Sequence, residues 1–184
     1  MRQLSIMVDL DRCIGCKTCI VACRNHHNII DHENDQPGAM ANYIRVESKL
    51  EGTYPELRED SWVVMCQHCK KVPCAKACEY DAITKDPQTG IVLIDQEKCT
   101  GCGECIEKCP YNVIQFNKED NYAHKCNLCY DRVIHGLTPV CVDVCLTDAL
   151  SFGEKEILLM QAEARGKKMI KKMSTQSIIY VKNA

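Results

Sequence analysis

Apolar residues come in short bursts along this chain, most of them two to four positions long and closed by a polar turn. The clearest are residues 6–8 (Ile-Met-Val) and 92–94 (Val-Leu-Ile), each running through an acidic turn into a cysteine-rich stretch. Short apolar runs bounded by turn residues read as strands that feed loops. Further bursts open after Asp81, Asn112 and Asp148, where Ala82-Ile83, Val113-Ile114 and Ala149-Leu150 follow a residue suited to a tight turn. Residues 43–46 have a strand-like pattern. Past residue 153 the pattern predicts a helix over residues 154–173 and a short strand over 177–181.

The first two bursts are copies of each other. Residues 6–16 align with 92–102 at an offset of 86, and each copy ends in Cys-x2-Cys-x2-Cys-x3-Cys: Cys13, Cys16, Cys19 and Cys23, then Cys99, Cys102, Cys105 and Cys109. A second pair of segments also matches. Cys66, Cys69, Cys74 and Cys78 parallel Cys126, Cys129, Cys141 and Cys145, with Pro73 and Pro139 just before the third cysteine of each. The chain of 184 residues therefore reads as one unit of two similar halves, and 42 residues between Cys23 and Cys66, polar at their start, separate the first two groups.

Composition changes what holds such a unit together. Hydrophobic residues make up 46%, but that figure includes 16 cysteines, and there are only two Phe and one Trp. The conventional core is thin, so covalent or metal staples are expected. A net charge of −2 gives no basis for nucleic acid as a partner. Residues 1–11 have too few consecutive apolar positions for a signal peptide, and no segment reaches the roughly 18 apolar residues of a membrane span. The expectation is the reducing cytoplasm, or export together with a partner that carries the signal. A reducing compartment counts against eight disulfides and for metal.

The spacing points to iron and sulfide. A cubane cluster needs four converging thiolates, and two-residue gaps let a tight loop wrap three of them around one face. In bacterial ferredoxins the run Cys-x2-Cys-x2-Cys-x3-Cys-Pro sends its fourth cysteine to the other cluster. Residues 99–110 reproduce that run with Pro110; residues 13–23 reproduce the cysteines, with Arg24 in place of the proline. Zinc is the competing reading. An all-thiolate zinc site would suit Cys126 and Cys129 with a later pair, but does not account for three cysteines spaced by two and a fourth by three, twice over. No phosphate loop, dinucleotide fingerprint or open metal site with a nearby base is present.

The whole cysteine framework resembles the four-cluster iron-sulfur (beta) subunits of the molybdopterin oxidoreductases, of the dimethyl sulfoxide reductase, nitrate reductase and formate dehydrogenase type, over about residues 1–153. The resemblance implies an α+β, loop-rich fold of two intertwined bacterial-ferredoxin-like dicluster modules. The outer module would come from residues 1–30 and 120–153, the inner from 61–118, with an insertion at 31–60 and a docking or assembly tail at 154–184. It also implies four [4Fe-4S] clusters: the first on Cys13, Cys16, Cys19 and Cys145; the second on Cys23, Cys126, Cys129 and Cys141; the third on Cys66, Cys69, Cys74 and Cys109; the fourth on Cys78, Cys99, Cys102 and Cys105. Some relatives put Trp in the third group and hold a three-iron cluster; Cys102 implies four complete cubanes here. The implied function is single-electron relay, with no catalysis by this chain itself, between a molybdenum- or tungsten-pterin subunit and a further redox subunit or copies of itself. A freely diffusing or self-associating polyferredoxin and a zinc-binding interaction module are the alternatives.

Residues beside the cysteines are candidates for tuning. Gly15, Gly101 and Gly103 suit loops that must approach a cluster without a side chain. Lys17, Lys70, Lys71, Lys98 and Lys125 could raise a cluster's potential or contact a partner. His68 could hydrogen-bond sulfur; with sixteen thiolates available, neither it nor His26 or His27 is needed as a ligand. Lys167, Lys168, Lys171 and Lys172 fall toward the end of the predicted helix, where cations suit the dipole or could dock a partner.

Overall fold

The computed structural model describes residues 3–29, 42–117, 120–174 and 177–184. The apolar run ahead of the first cysteine group forms β1 (Leu4–Asp9), an inner strand of a sheet ordered β8-β1-β10-β9, with β8 at Leu150–Glu154, β9 at Lys167–Met169 and β10 at Ile178–Asn183. Ile6 sits opposite Phe152 of antiparallel β8 and opposite Ile178 of parallel β10. Successive strand residues face opposite sides, and both sides of β1 are buried. Ile6 and Val8 pack with Ile178 and Tyr180 into a core that includes Cys19, Cys23, Cys66, Cys126 and Cys141. Met7 packs with Ile179 and Val181 against Leu158 and Ala162 of α6 (Lys155–Ala164). One face of the sheet covers cysteines and the other covers a helix.

Three hairpins complete the strands: β2 (Ile44–Glu51) with β3 (Arg58–Met65), β4 (Ile83–Lys85) with β5 (Val92–Ile94), and β6 (Gln115–Asn117) with β7 (Tyr122–His124). The Tyr180 hydroxyl donates to the Val63 carbonyl at 2.8 Å, fastening the first hairpin to the sheet. Helices other than α6 lie inside the cysteine groups. α1 (Thr18–His26) spans nine residues, whereas α2 (Pro73–Lys76), α3 (Glu104–Glu107), α4 (Tyr130–Val133) and α5 (Val140–Asp143) are single turns. The missing proline has a visible counterpart: α1 continues past Cys23, while α3 stops short of Cys109-Pro110. Among the described residues no helix is long and apolar enough to cross a membrane.

The helix predicted over residues 154–173 is corrected by the structure. α6 ends at Ala164, Gly166 turns to φ +71°, and the chain re-enters the sheet as β9. A left-handed glycine just past a helix end is a common stop signal. Lys167 and Lys168 are therefore strand residues and Lys171 and Lys172 lie in the following turn, so the dipole account of these four lysines does not apply. Lys167 is instead part-buried, its Nζ 2.9 Å from Asp9 Oδ1 and 3.0 Å from Asp11 Oδ2. The tail is laced into the sheet, with β10 between β1 and β9. The start of the predicted insertion, residues 31–41, lies outside the described residues.

Burial alone would lower the Lys167 pKa, but its hydrogen bonds to Asp9 and Asp11 outweigh burial and leave it raised. Burial likewise acts upward on Asp11, and Lys167 with the Asn183 amide brings it below the ordinary carboxylate value. The pairing thus stabilises the fold between those limits. It weakens as pH falls through the depressed Asp11 pKa and as pH rises through the raised Lys167 pKa. Replacing Lys167 with Met takes the cation from buried Asp9, while Asp11 keeps Arg58 at 3.7 Å and the Asn183 amide, and is expected to cost about 3 kcal/mol, a drop of roughly 6–12 °C in apparent melting temperature at neutral pH. The double variant with Asp9→Asn should lose less than the two single losses added together.

Candidate iron-sulfur sites

Each cysteine group is delivered by a strand: β1 leads to Cys13, β3 to Cys66, β5 to Cys99 and β7 to Cys126. Three groups also leave in the same way. Asp81, Asn112 and Asp148 take φ of 50°, 50° and 49°, and β4, β6 and β8 follow. Asp and Asn tolerate this left-handed conformation because their short polar side chains bond locally. Gly101 also needs it, at φ +72°, and a Cβ there would overlap the Asn121 carbonyl oxygen. At Gly103 a Cβ would meet nothing, so only its φ of +83° favours glycine.

These loops gather the sixteen cysteines into four sets. Cys13, Cys16, Cys19 and Cys145 line one cavity, Cys66, Cys69, Cys74 and Cys109 a second, and Cys78, Cys99, Cys102 and Cys105 a third. Cys23, Cys126, Cys129 and Cys141 lie close enough to act on one another electrostatically. Neighbouring sets lie within electrostatic reach in order: Cys19 acts on Cys141, Cys66 on Cys126, and Cys74 on Cys105. The result is a row of four. Cys16 and Cys102, at opposite ends, are exposed, while Cys23, Cys66, Cys74, Cys126, Cys129 and Cys141 in the middle are buried.

The donor chemistry fits metal. Burial, reinforced by neighbouring thiols, pushes Cys19 and Cys105 up to about 11 and Cys126 up to about 12. Cys23 and Cys141 are driven further in the same direction. Cys74 rises to about 11 through burial, against the opposing charge of Lys125. Four such thiols could not ionise side by side unless a strongly positive centre compensated them, and iron does this. Exposed Cys16 goes the other way, lowered by the Thr18 hydroxyl at 3.4 Å. A backbone donor is also placed on sulfur, Leu128 N to Cys126 Sγ at 3.4 Å.

Histidine placement differs from the sequence reading. His68 is fully buried, and its Nδ1 accepts from the Val92 amide at 2.9 Å, so the ring serves β5. His27 lies near sulfur, its Nε2 3.9 Å from Cys129 Sγ, and His26 is close by. Tyr43 packs at a tilt beside His27 and its hydroxyl lies 2.9 Å from His124 Nδ1, while His124 Nε2 is 2.7 Å from Asp120. Tyr43 and His124 are 81 residues apart, and no local pattern connects them.

Comparison with known proteins points to the same class of cofactor. Residues 61–155 match a family described as 4Fe-4S dicluster domain, and residues 6–26 match a 4Fe-4S binding domain. The nitrate-inducible formate dehydrogenase iron-sulfur subunit of Escherichia coli (strain K12) is 37% identical over 175 residues, covering 91% of this chain and 60% of its own length. The thiosulfate reductase electron transfer subunit of Salmonella typhi is 37% identical over 158 residues, covering 82% and 76%. A component of the anaerobic dimethyl sulfoxide reductase of Haemophilus influenzae is 32% identical over 161 residues, covering 83% and 74%. This chain thus spans about 60% of the formate dehydrogenase subunit. With sixteen cysteines in four sets of four, the chain belongs to the 4Fe-4S dicluster family.

Proposed function

We propose that this chain relays single electrons along a row of four [4Fe-4S] clusters between a molybdenum- or tungsten-pterin catalytic subunit and a second redox partner. The observation that carries the reading is the row itself: four sets of four thiols, each set within electrostatic reach of the next, with buried cysteines in the middle and exposed Cys16 and Cys102 in the first and last sets. Each cluster, when bound, supplies one-electron chemistry at a potential set by hydrogen bonds to sulfur, charge and exposure.

The ligand sets follow the four gatherings, Cys13/Cys16/Cys19/Cys145, Cys23/Cys126/Cys129/Cys141, Cys66/Cys69/Cys74/Cys109 and Cys78/Cys99/Cys102/Cys105. They divide the chain into two intertwined dicluster modules, an outer one closed by β1 on β8 and an inner one between β3 and β6. Supporting this division, β1 pairs with β8 across more than 140 residues, while α2 packs on α3. A reducing compartment suits sixteen unpaired thiols.

Anaerobic purification from the native source tests the reading. About sixteen irons and as many acid-labile sulfides per chain are expected for four cubanes, together with a pterin-containing chain at one to one. A colourless, zinc-loaded protein would sink the reading. Isolation as a free chain, with no catalytic partner, would instead mark a diffusing polyferredoxin.

A further inference from the structure

Five lysines stand beside cysteines in the sequence, and the structure separates one from the rest. Lys17, Lys70, Lys71 and Lys98 are exposed, whereas Lys125 is 4% exposed. Its ammonium donates to the Val92 carbonyl on β5 and to the carbonyl of Cys126 at 3.2 Å. The amide of that same Val92 is held by His68 Nδ1. Two lysines meet around this point, since Lys85 Nζ donates to the carbonyls of His68 and Cys69 at 3.2 and 3.0 Å.

Among the described residues no carboxylate lies within ion-pair distance of Lys125. A buried ammonium without a counter-ion is costly, and carbonyl dipoles compensate it only in part. Lys125 holds the carbonyl of Cys126 in the second set and, through the carbonyl of Val92, the wall of the cavity that Cys66, Cys69, Cys74 and Cys109 of the third set line, and the two sets meet where Cys66 and Cys126 share one buried core cluster.

We propose that the Lys125 ammonium is the counter-ion shared by the second and third clusters, holding both at higher potential than they would have without it. The proposal rests on the four-cluster reading. Each cluster becomes more negative on reduction, so a fixed positive charge favours the reduced form, and in a desolvated joint that preference is weakly screened. Electrons would then be drawn toward the junction of the two modules more strongly than without the lysine. A lysine that served only to tie β7 to β5 would leave the potentials alone.

The test is a potentiometric titration of the anaerobically purified full chain, followed by electron paramagnetic resonance, for wild type, Lys125→Met and Lys125→Arg. Iron and sulfide are counted first. A wild-type chain with fewer than four clusters refutes the underlying reading and leaves lysine out of the question. With four clusters in every variant, Lys125→Met is expected to shift two of the four reduction equilibria by about tenfold or more, equivalent to ~59 mV per decade for one electron, with Lys125→Arg restoring them. Four unchanged potentials in Lys125→Met overturn the proposal. Loss of clusters in Lys125→Met alone, rescued by Lys125→Arg, supports a required charge, and loss in both variants marks a packing role and overturns it.

Discussion

Stripping iron from the anaerobic chain with a chelator is expected to abolish its cooperative melting and most of its far-UV circular dichroism. The structure gives three reasons. First, the core is built around sulfur: eight of its buried residues are cysteines, Cys19, Cys23, Cys66, Cys74, Cys105, Cys126, Cys129 and Cys141. Without metal these side chains face cavities, and cavities in a core cost stability. Second, four of the six helices among the described residues are single turns, far below the roughly 12–15 residues at which an isolated helix becomes even marginal. Third, the cysteine loops hold non-glycine residues in left-handed backbone, Lys17, Val72, Leu128 and Cys129 among them. Each such residue costs on the order of 1–2 kcal/mol, most awkwardly at β-branched Val72. Ligation of flanking cysteines is what keeps these loops in place, as binding and folding are one process in small metal-organised domains.

One part of the molecule is expected to resist longest. The face of the sheet formed by Met7, Ile179 and Val181 against Leu158 and Ala162 contains no cysteine. Its opposite face does, so the sheet loses half its packing with the iron. Residual dichroism after chelation should be that of strands with one short helix, accompanied by binding of a hydrophobic dye to the exposed face. An iron-free chain with a native-like spectrum and a sharp melt would contradict this account of the core.

Much of this arrangement was legible in the sequence because the forces that set it are local. Cysteine spacing fixes which thiols a loop can present, and the turn at Asp81, Asn112 or Asp148 is fixed by the one residue that tolerates it. Strands such as β1 and β5 announced themselves as apolar bursts. What was not legible depends on distant pairing. β10 inserts between β1 and β9 in parallel to β1, a partnership separated by about 170 residues that no periodicity records. The break between α6 and β9 had a signal in Gly166, but the pull on Lys167 comes from Asp9 and Asp11 at the other end of the chain. The five lysines beside cysteines looked alike in the sequence; burial alone distinguishes Lys125.

Two single-thiol substitutions separate the scaffolding role of the clusters from their place in the row. Cys141 is 3% exposed on α5 and packs against the cysteines that α1 and the 126–129 loop contribute. Under the proposed ligand sets, Cys141→Ser removes the second cluster, because a buried serine hydroxyl is a far poorer anionic ligand than a thiolate. Iron should fall from about sixteen to about twelve atoms per chain, as for loss of one cubane. Loss of that cluster also frees α1 from α5, which pack on each other, so the outer module should become protease-sensitive and melt well below wild type. Cys102→Ser acts at the exposed end of the row. It should lose one iron or one cluster while leaving circular dichroism and melting closer to wild type than Cys141→Ser does, since Cys102 itself is exposed. Equal destabilisation by both substitutions would count against a scaffold centred on the buried middle. Intact sixteen-iron stoichiometry in Cys141→Ser would remove Cys141 from its ligand set. The contrast follows from one physical difference: at the exposed end water can take over the space a cluster leaves, and in the middle only the collapse of the surrounding loops can.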